Sequence, residues 1–161
     1  MRVGDFRNMS IDKTSLKTID PAIEADYRRS RLHGDEVLIA CVGSIGHIAI
    51  ADAGLRNFNI VRAVARVRCG GRVNRFYLAC FLSTQRAQCY FASETRTVSQ
   101  PTLNIKQIEE TKVVLPPLSE QERFAAIFAR RLAVAEEMTR SQHTIDDLFH
   151  YLVQRAFRGE L

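Results

Sequence analysis

No stretch of this sequence stays apolar for the roughly 20 residues that a membrane-spanning helix needs. The amino terminus, Met1-Arg-Val-Gly-Asp5, has no apolar core of a secretory signal. The four cysteines (Cys41, Cys69, Cys80, Cys89) form no Cys-x-x-Cys pair, and His33, His47, His143 and His150 stand at no metal-ligand spacing from them. Three of the four lie in apolar contexts, which suits reduced, buried thiols. Also missing are a phosphate-binding loop, a glycine-rich cofactor loop, an Asn-Pro-Pro-aromatic adenine-methylation motif and a histidine-paired nucleophile. Glu110-Thr-Lys112 matches half of a metal-dependent nuclease site, but no strand-borne Asp precedes it to share the metal. The expectation is a cytoplasmic, reduced chain with no metal, no cofactor and no catalytic residue of its own.

What is present is an ordinary globular composition, 46% hydrophobic and 25% charged over 161 residues, enough for one core plus an extension. The net charge of +5 is unevenly placed. Residues 1–118 carry 17 Lys+Arg against 11 Asp+Glu, and residues 119–161 carry 6 against 7. Thirteen of the 17 cations are Arg, whose planar fork suits phosphates and guanine edges. The pattern fits a polyanion-binding head on a nearly neutral, protein-binding stem.

The stem organises the chain. Pro116-Pro117 ends the apolar run Val113–Leu115, Ser119 reads as an N-cap, and Glu122 completes a capping box. From Glu120 to about Arg155 good helix formers predominate, with no Gly or Pro until Gly159. About 36 residues at 1.5 Å each make a rod of roughly 54 Å. Phe124, Phe128, Ala135, Met138, Ile145, Phe149, Leu152 and Ala156 recur at heptad-like steps, interrupted by Arg131 and Gln142. A head of 118 residues is too small to cover such a rod, so the seam predicts a coiled-coil partner.

Upstream, residues 1–33 are turn-rich, with a helix start at Asp20-Pro21 and a basic cluster, Tyr27-Arg-Arg-Ser-Arg31. That cluster is either a solvated loop or a phosphate-contacting edge. Glu36–Val42, the Gly43-Ser-Ile-Gly46 turn and His47–Ala51 read as a hairpin. Ile60–Cys69 alternates, with Arg62, Val64, Arg66 and Arg68 opposite Val61, Ala63, Ala65 and Val67. Three arginines on one strand face need acids or phosphates nearby. Asn74 caps a helix predicted to run to about Tyr90, with Phe76, Tyr77, Cys80, Phe81 and Ala87 as its buried stripe. The loop Ser93–Asn104 offers Arg96, Thr97 and Gln100 as donors to bases or phosphates, before a short helix Ile105–Glu110 capped by Asn104.

Leu115-Pro-Pro-Leu-Ser-Glu-Gln121, the long helix and its closing Ala156-Phe-Arg-Gly-Glu-Leu161 resemble the specificity subunit of type I restriction-modification systems, as do Gly34-Asp-Glu-Val-Leu-Ile39 and the Gly43–Gly46 turn. The resemblance implies an α+β fold: a small target-recognition domain with a short-stranded sheet and packed helices over 1–118, followed by one long coiled-coil-type helix over 119–161. It implies a non-catalytic DNA-specificity component whose partners are double-stranded DNA, methyltransferase subunits and, through them, a restriction/motor subunit. Specificity subunits usually carry two recognition domains, each with a spacer helix; this chain has one of each, and its head looks N-terminally short. It is therefore expected to be a half subunit that homodimerises or pairs with another recognition unit. The alternative is a truncated adaptor remnant that binds partners but no DNA. Arg31, Arg62, Arg66, Arg96, Thr97 and Gln100 are the candidate DNA contacts, taken as a group. Phe124, Phe128, Ala135, Met138, Ile145, Phe149 and Leu152 are the candidate partner surface.

Overall fold

The computed structural model describes residues 1–95 and 101–160, leaving aside the side chain of Glu136. Contacts group the chain into two units, Met1–Ala125 and Ala126–Leu161. The architecture is the expected α+β with one long C-terminal helix.

The turn-rich start contains a small hairpin that the irregular apolar spacing hid. Strands β1 (Phe6–Arg7) and β2 (Ser10–Ile11) pair antiparallel, Phe6 opposite Ile11. Helix α1 (Pro21–Asp26) begins as expected, with the Asp20 carboxylate accepting from the Ala22 N–H and Pro21 in the first turn. The predicted hairpin follows as β3 (Val37–Ala40) and β4 (Ile48–Ile50), Val37 opposite Ile50. Strand β5 (Val64–Val67) lies antiparallel on the other side of β3, giving the order β4-β3-β5. It is shorter than the alternation predicts, because the Val64 N–H turns back onto the Val61 carbonyl.

Register sorts the sheet's side chains. Leu38, Ala40, Ala49, Val64 and Arg66 share one face; Val37, Ile39, Ile48, Ile50, Ala65 and Val67 share the other. Leu38, Ala40, Ala49 and Val64 join Phe6, Ile11, Leu32, Ala51 and Leu55 in the main core. Helix α2 (Arg75–Leu82) packs against β3 and β4 and buries Leu78, Ala79 and Leu82. Every residue of β3 is buried, which is why it reads as a continuous apolar run.

Two helices replace the single one expected from Asn74 to Tyr90. Asn74 caps α2, its Oδ1 accepting from the Phe76 N–H. Ser83 and Thr84 then bond back to the carbonyls of Ala79 and Phe81, and the Thr84 hydroxyl accepts from Ala87 to start α3 (Gln85–Glu94). Such hydroxyls compete with the helix ladder, which is what breaks it. The buried stripe moves accordingly to Leu78, Ala79, Leu82, Ala87 and Phe91, while Phe76, Tyr77, Cys80 and Phe81 are half-buried. Helix α4 (Ile105–Glu109) follows Asn104, whose N–H donates to Gln107 Oε1.

Helix α5 (Leu118–Phe157) starts one residue before Ser119. The N–H groups of Glu120 and Gln121 bond to the Pro117 carbonyl, so Pro117 occupies the cap position and Ser119 lies inside the first turn. Forty residues give a helix of about 60 Å, and its first two turns pack with the head.

Candidate nucleic-acid interface

One end of the sheet gathers segments far apart in sequence. Beyond β3, the Cys41 N–H donates to the Ala63 carbonyl at 2.7 Å, and the Cys41 carbonyl accepts from the Leu103 N–H at 2.9 Å. Val42 bridges to Thr102. The exposed Gly43–Ser44 turn, Arg62 beside Ala63, and Thr102 are thereby brought to one edge. Arg62 is exposed, and no acid among the described residues lies within ion-pair reach of it. Arg96, Thr97 and Gln100 lie outside the described residues, although Thr102 follows Gln100 by two positions.

Arg31 and Arg66 are placed differently from Arg62. They meet each other, as the Arg66 guanidinium donates to the Arg31 backbone carbonyl. Each also faces an acid: Arg31 Nε lies 2.5 Å from Glu24, and Arg66 Nη1 lies 3.6 Å from Glu36. Asn59 joins the first pair by donating to Glu24, to the Tyr27 carbonyl and to Ser30 Oγ. Glu36 is fully buried, and its carboxylate accepts from the N–H groups of His33, Gly34 and Asp35 at 2.7–3.1 Å. Burial, the largest single influence, would raise its pKa; the backbone N–H groups of His33, Asp35, Gly34 and Glu36 itself together outweigh it and hold the carboxyl below the usual value. Glu24 is held down to about 2, chiefly by its hydrogen bond from Arg31.

Arg28 and Arg29 are exposed. Arg29 and Arg62 flank a shallow groove of about 780 Å³ floored by Ile19, Ile23, Tyr27 and Val61. Glu110 faces Lys106 at 3.8 Å, and no group of three metal-ligating side chains occurs among the described residues.

In the helical unit the apolar side chains stand open. Ile127, Val134, Met138, Ile145, Leu148, Phe149, Tyr151 and Leu152 are all exposed, Ile127 at 72% and Met138 at 68%. Ile127, Val134, Met138, Ile145, Leu148 and Leu152 follow steps of 7, 4, 7, 3 and 4, a heptad seam. Ile127, Val134 and Leu148 were missed because counting began from Phe124 and Phe128, which set a different register. Phe128 is buried, Ala135 is partly covered, Phe124 is exposed with its ring edge-to-face on Tyr77, and Phe149 lies beside the seam.

Sequence reasoning also passed over Gln121, read only as part of a motif. It is 1% exposed; its Oε1 accepts from the Asn74 N–H, and its Nε2 donates to the carbonyls of Arg72 and Pro116. One amide thus ties the start of α5 to the cap of α2. Its place between Glu120 and Glu122 on a helix start gave no cue, since only burial distinguishes it from its neighbours.

A model of the type I restriction modification DNA specificity domain matches residues 4–143. The chain is 30% identical over 166 residues to the type I restriction enzyme EcoBI specificity subunit of Escherichia coli, spanning all of this chain and 35% of that protein. A solved chain from a study of complex assembly and conformational transition of the type I R-M system superposes with a TM-score of 0.56 at 24% identity, over 78% of this chain and 31% of that one. The chain therefore spans about a third of the length of the proteins it matches, and the superposition establishes the shared fold.

Proposed function

The chain belongs to the type I restriction-modification DNA specificity family, and from that premise we propose that its head reads one half-site of duplex DNA while its long helix docks other subunits. The observation that carries the reading is Arg62, an exposed cation with no acid in ion-pair reach among the described residues, at the sheet end where the Gly43–Gly46 turn and Thr102 converge. Arg96, Thr97 and Gln100 stay in the proposed group on their chemistry alone, as donors to bases or phosphates. Arg31 and Arg66 belong to the same proposed group of contacts: Arg31 is held through Glu24 and Asn59 beside Tyr27–Ser30, and Arg66 through Glu36 beside the His33–Asp35 turn. The functional division falls where the helix begins, residues 1–118 reading DNA and 119–161 joining partners. Methylation and cleavage belong to those partner subunits in a cytoplasmic assembly, and two copies paired through the helix read a bipartite, palindromic target. An adaptor remnant is the weaker reading, because the family match runs across the head as well as the helix.

The test is binding of the whole chain to duplex DNA across a salt series. A reader loses affinity as a steep power of salt and still prefers one sequence over random competitor. Arg62→Ala is expected to lower the salt slope by about 1 while leaving unfolding unchanged. Binding to no DNA, or to all DNA equally, overturns the proposal.

A further inference from the structure

The tip of the β1–β2 hairpin holds two consecutive non-glycine residues in the left-handed region, Asn8 at φ 46° and Met9 at φ 64°. A two-residue turn of this kind favours Asn first and Gly second, so backbone chemistry does not select Met9. Nor does the core: the partly buried residues packed on the main cluster are Met1, Val3, Leu16 and Ile60, not Met9. The turn is nonetheless held firmly, with the Met9 carbonyl accepting from the Ile50 N–H at 2.9 Å and Met9 bridging to Ala49.

Across a cleft of about 510 Å³ stands the link Gly46–His47, and Arg7, Asn8, Met9, His47, Ser83 and Gln88 line the space between. Gln88 fixes the far wall. Its Nε2 donates to the Gly46 and Leu82 carbonyls, and a Cβ on Gly46 would meet its Oε1 at 2.5 Å. Gly46 is at φ 81°, which favours glycine, and a side chain there would push the Gln88 amide aside. Arg7, Asn8 and His47 are exposed at the rim. An amide, an imidazole and a guanidinium therefore sit on two pinned turns with a thioether among them. The Gly43–Gly46 turn is shared with the sheet end that carries Arg62, so the cleft adjoins the proposed DNA face. Amides pair with adenine, guanidinium groups with guanine, and apolar groups with the thymine methyl. Strain kept at a non-glycine residue points to use of its side chain.

We propose that Asn8 and Met9, with His47 opposite, form a second base-reading element that contacts base edges of the same half-site. This rests on the head being a DNA reader, and the experiment separates the two. Random-duplex selection followed by titration is run on the whole chain, on Met9→Gly, on Asn8→Gly and on His47→Ala. Glycine at 8 or 9 suits the turn, so these variants remove a side chain without straining the fold. Met9→Gly is expected to unfold at the same or a higher urea midpoint, yet to lose about tenfold in preference at one or two base pairs, the scale of one lost base contact. Asn8→Gly and His47→Ala are expected to relax neighbouring positions of the same site. A parent chain with clear sequence preference that all three variants retain overturns this inference and leaves the DNA-reading proposal standing. A parent chain with no preference overturns both.

Discussion

The guanidinium of Arg66 stands 3.6 Å from the Glu36 carboxylate and also donates to the Arg31 carbonyl, so one side chain on the core face of the sheet links two loops. The Glu36 side chain is inaccessible and that of Arg66 about a quarter exposed, which makes the pair a framework element. Removing the acid leaves three backbone N–H groups and a cation without their acceptor. Glu36→Ala is expected to cost about 3–5 kcal/mol, the range for breaking a buried charged network from one side. Urea unfolding measures it as a lower midpoint at constant slope. A loss below about 1 kcal/mol would mean that the carboxylate is not holding the His33–Asp35 turn.

Acid should unpick the same region in a defined window. Glu24 and Glu36 both have pKa values lowered in the folded chain, Glu24 from 4.5 to about 2. A depressed carboxylate contributes stability that is fully present above its unfolded pKa and is lost as pH falls through its folded one. The urea midpoint is therefore expected to hold from pH 7 to about 5 and to decline between about 4.5 and 2. Glu24→Gln should begin lower and decline less steeply. Parallel curves for parent and variant would show that the Arg31 pairing does not set the acid limit.

How far this could be read in advance depends on what each residue answers to. The β3–β4 hairpin, the caps at Asp20 and Asn74 and the long helix were legible because apolar runs, turn glycines and capping residues act locally. Arg66 was not. Alternation placed it correctly on the face opposite Ala65, but only the third dimension shows that this face is core and that Glu36, thirty positions earlier, waits there. The break at Ser83-Thr84 and the strands flanking Asn8-Met9 failed for a related reason, as short polar segments whose conformation is set by hydrogen bonds to their surroundings. Along α5, periodicity gave the length, while which apolar positions stay open is a matter of burial: Phe128 is covered and Ile127, Val134 and Leu148 are not.

Gln121 gives a test of how the helix is fastened to the head. All three of its hydrogen bonds reach backbone groups, at Asn74, Arg72 and Pro116. Gln121→Ala strands those groups and opens a small void, for an expected loss of about 2–3 kcal/mol. Gln121→Glu keeps the acceptor toward Asn74 but removes both donors and buries a charge, so it should be at least as damaging. Neither change touches Arg62, and DNA preference of the folded fraction should persist. Equal stability of Gln121→Ala and parent in urea would remove Gln121 as a fastening.

The open seam of α5 makes the last prediction. Ile145 and Leu152 are 59% and 41% exposed, seven residues apart on one stripe. A helix of 40 residues with such a stripe gains by covering it, at about 1 kcal/mol or more for each of these half-exposed aliphatic side chains removed from water. Replacing both by Glu exchanges that gain for two charges that would have to be desolvated at the same contact. Light scattering at micromolar concentration is expected to show the parent chain associating and the Ile145→Glu, Leu152→Glu double variant shifted to monomer by at least about tenfold in dissociation constant. Its head should unfold within about 0.5 kcal/mol of the parent, since these positions are exposed. If the parent is itself strictly monomeric, the homodimer and its palindromic target fall together, and the seam is left to a different helix in the assembly. If the double variant associates as the parent does, pairing runs through some other surface, and the heptad seam is not what joins the copies.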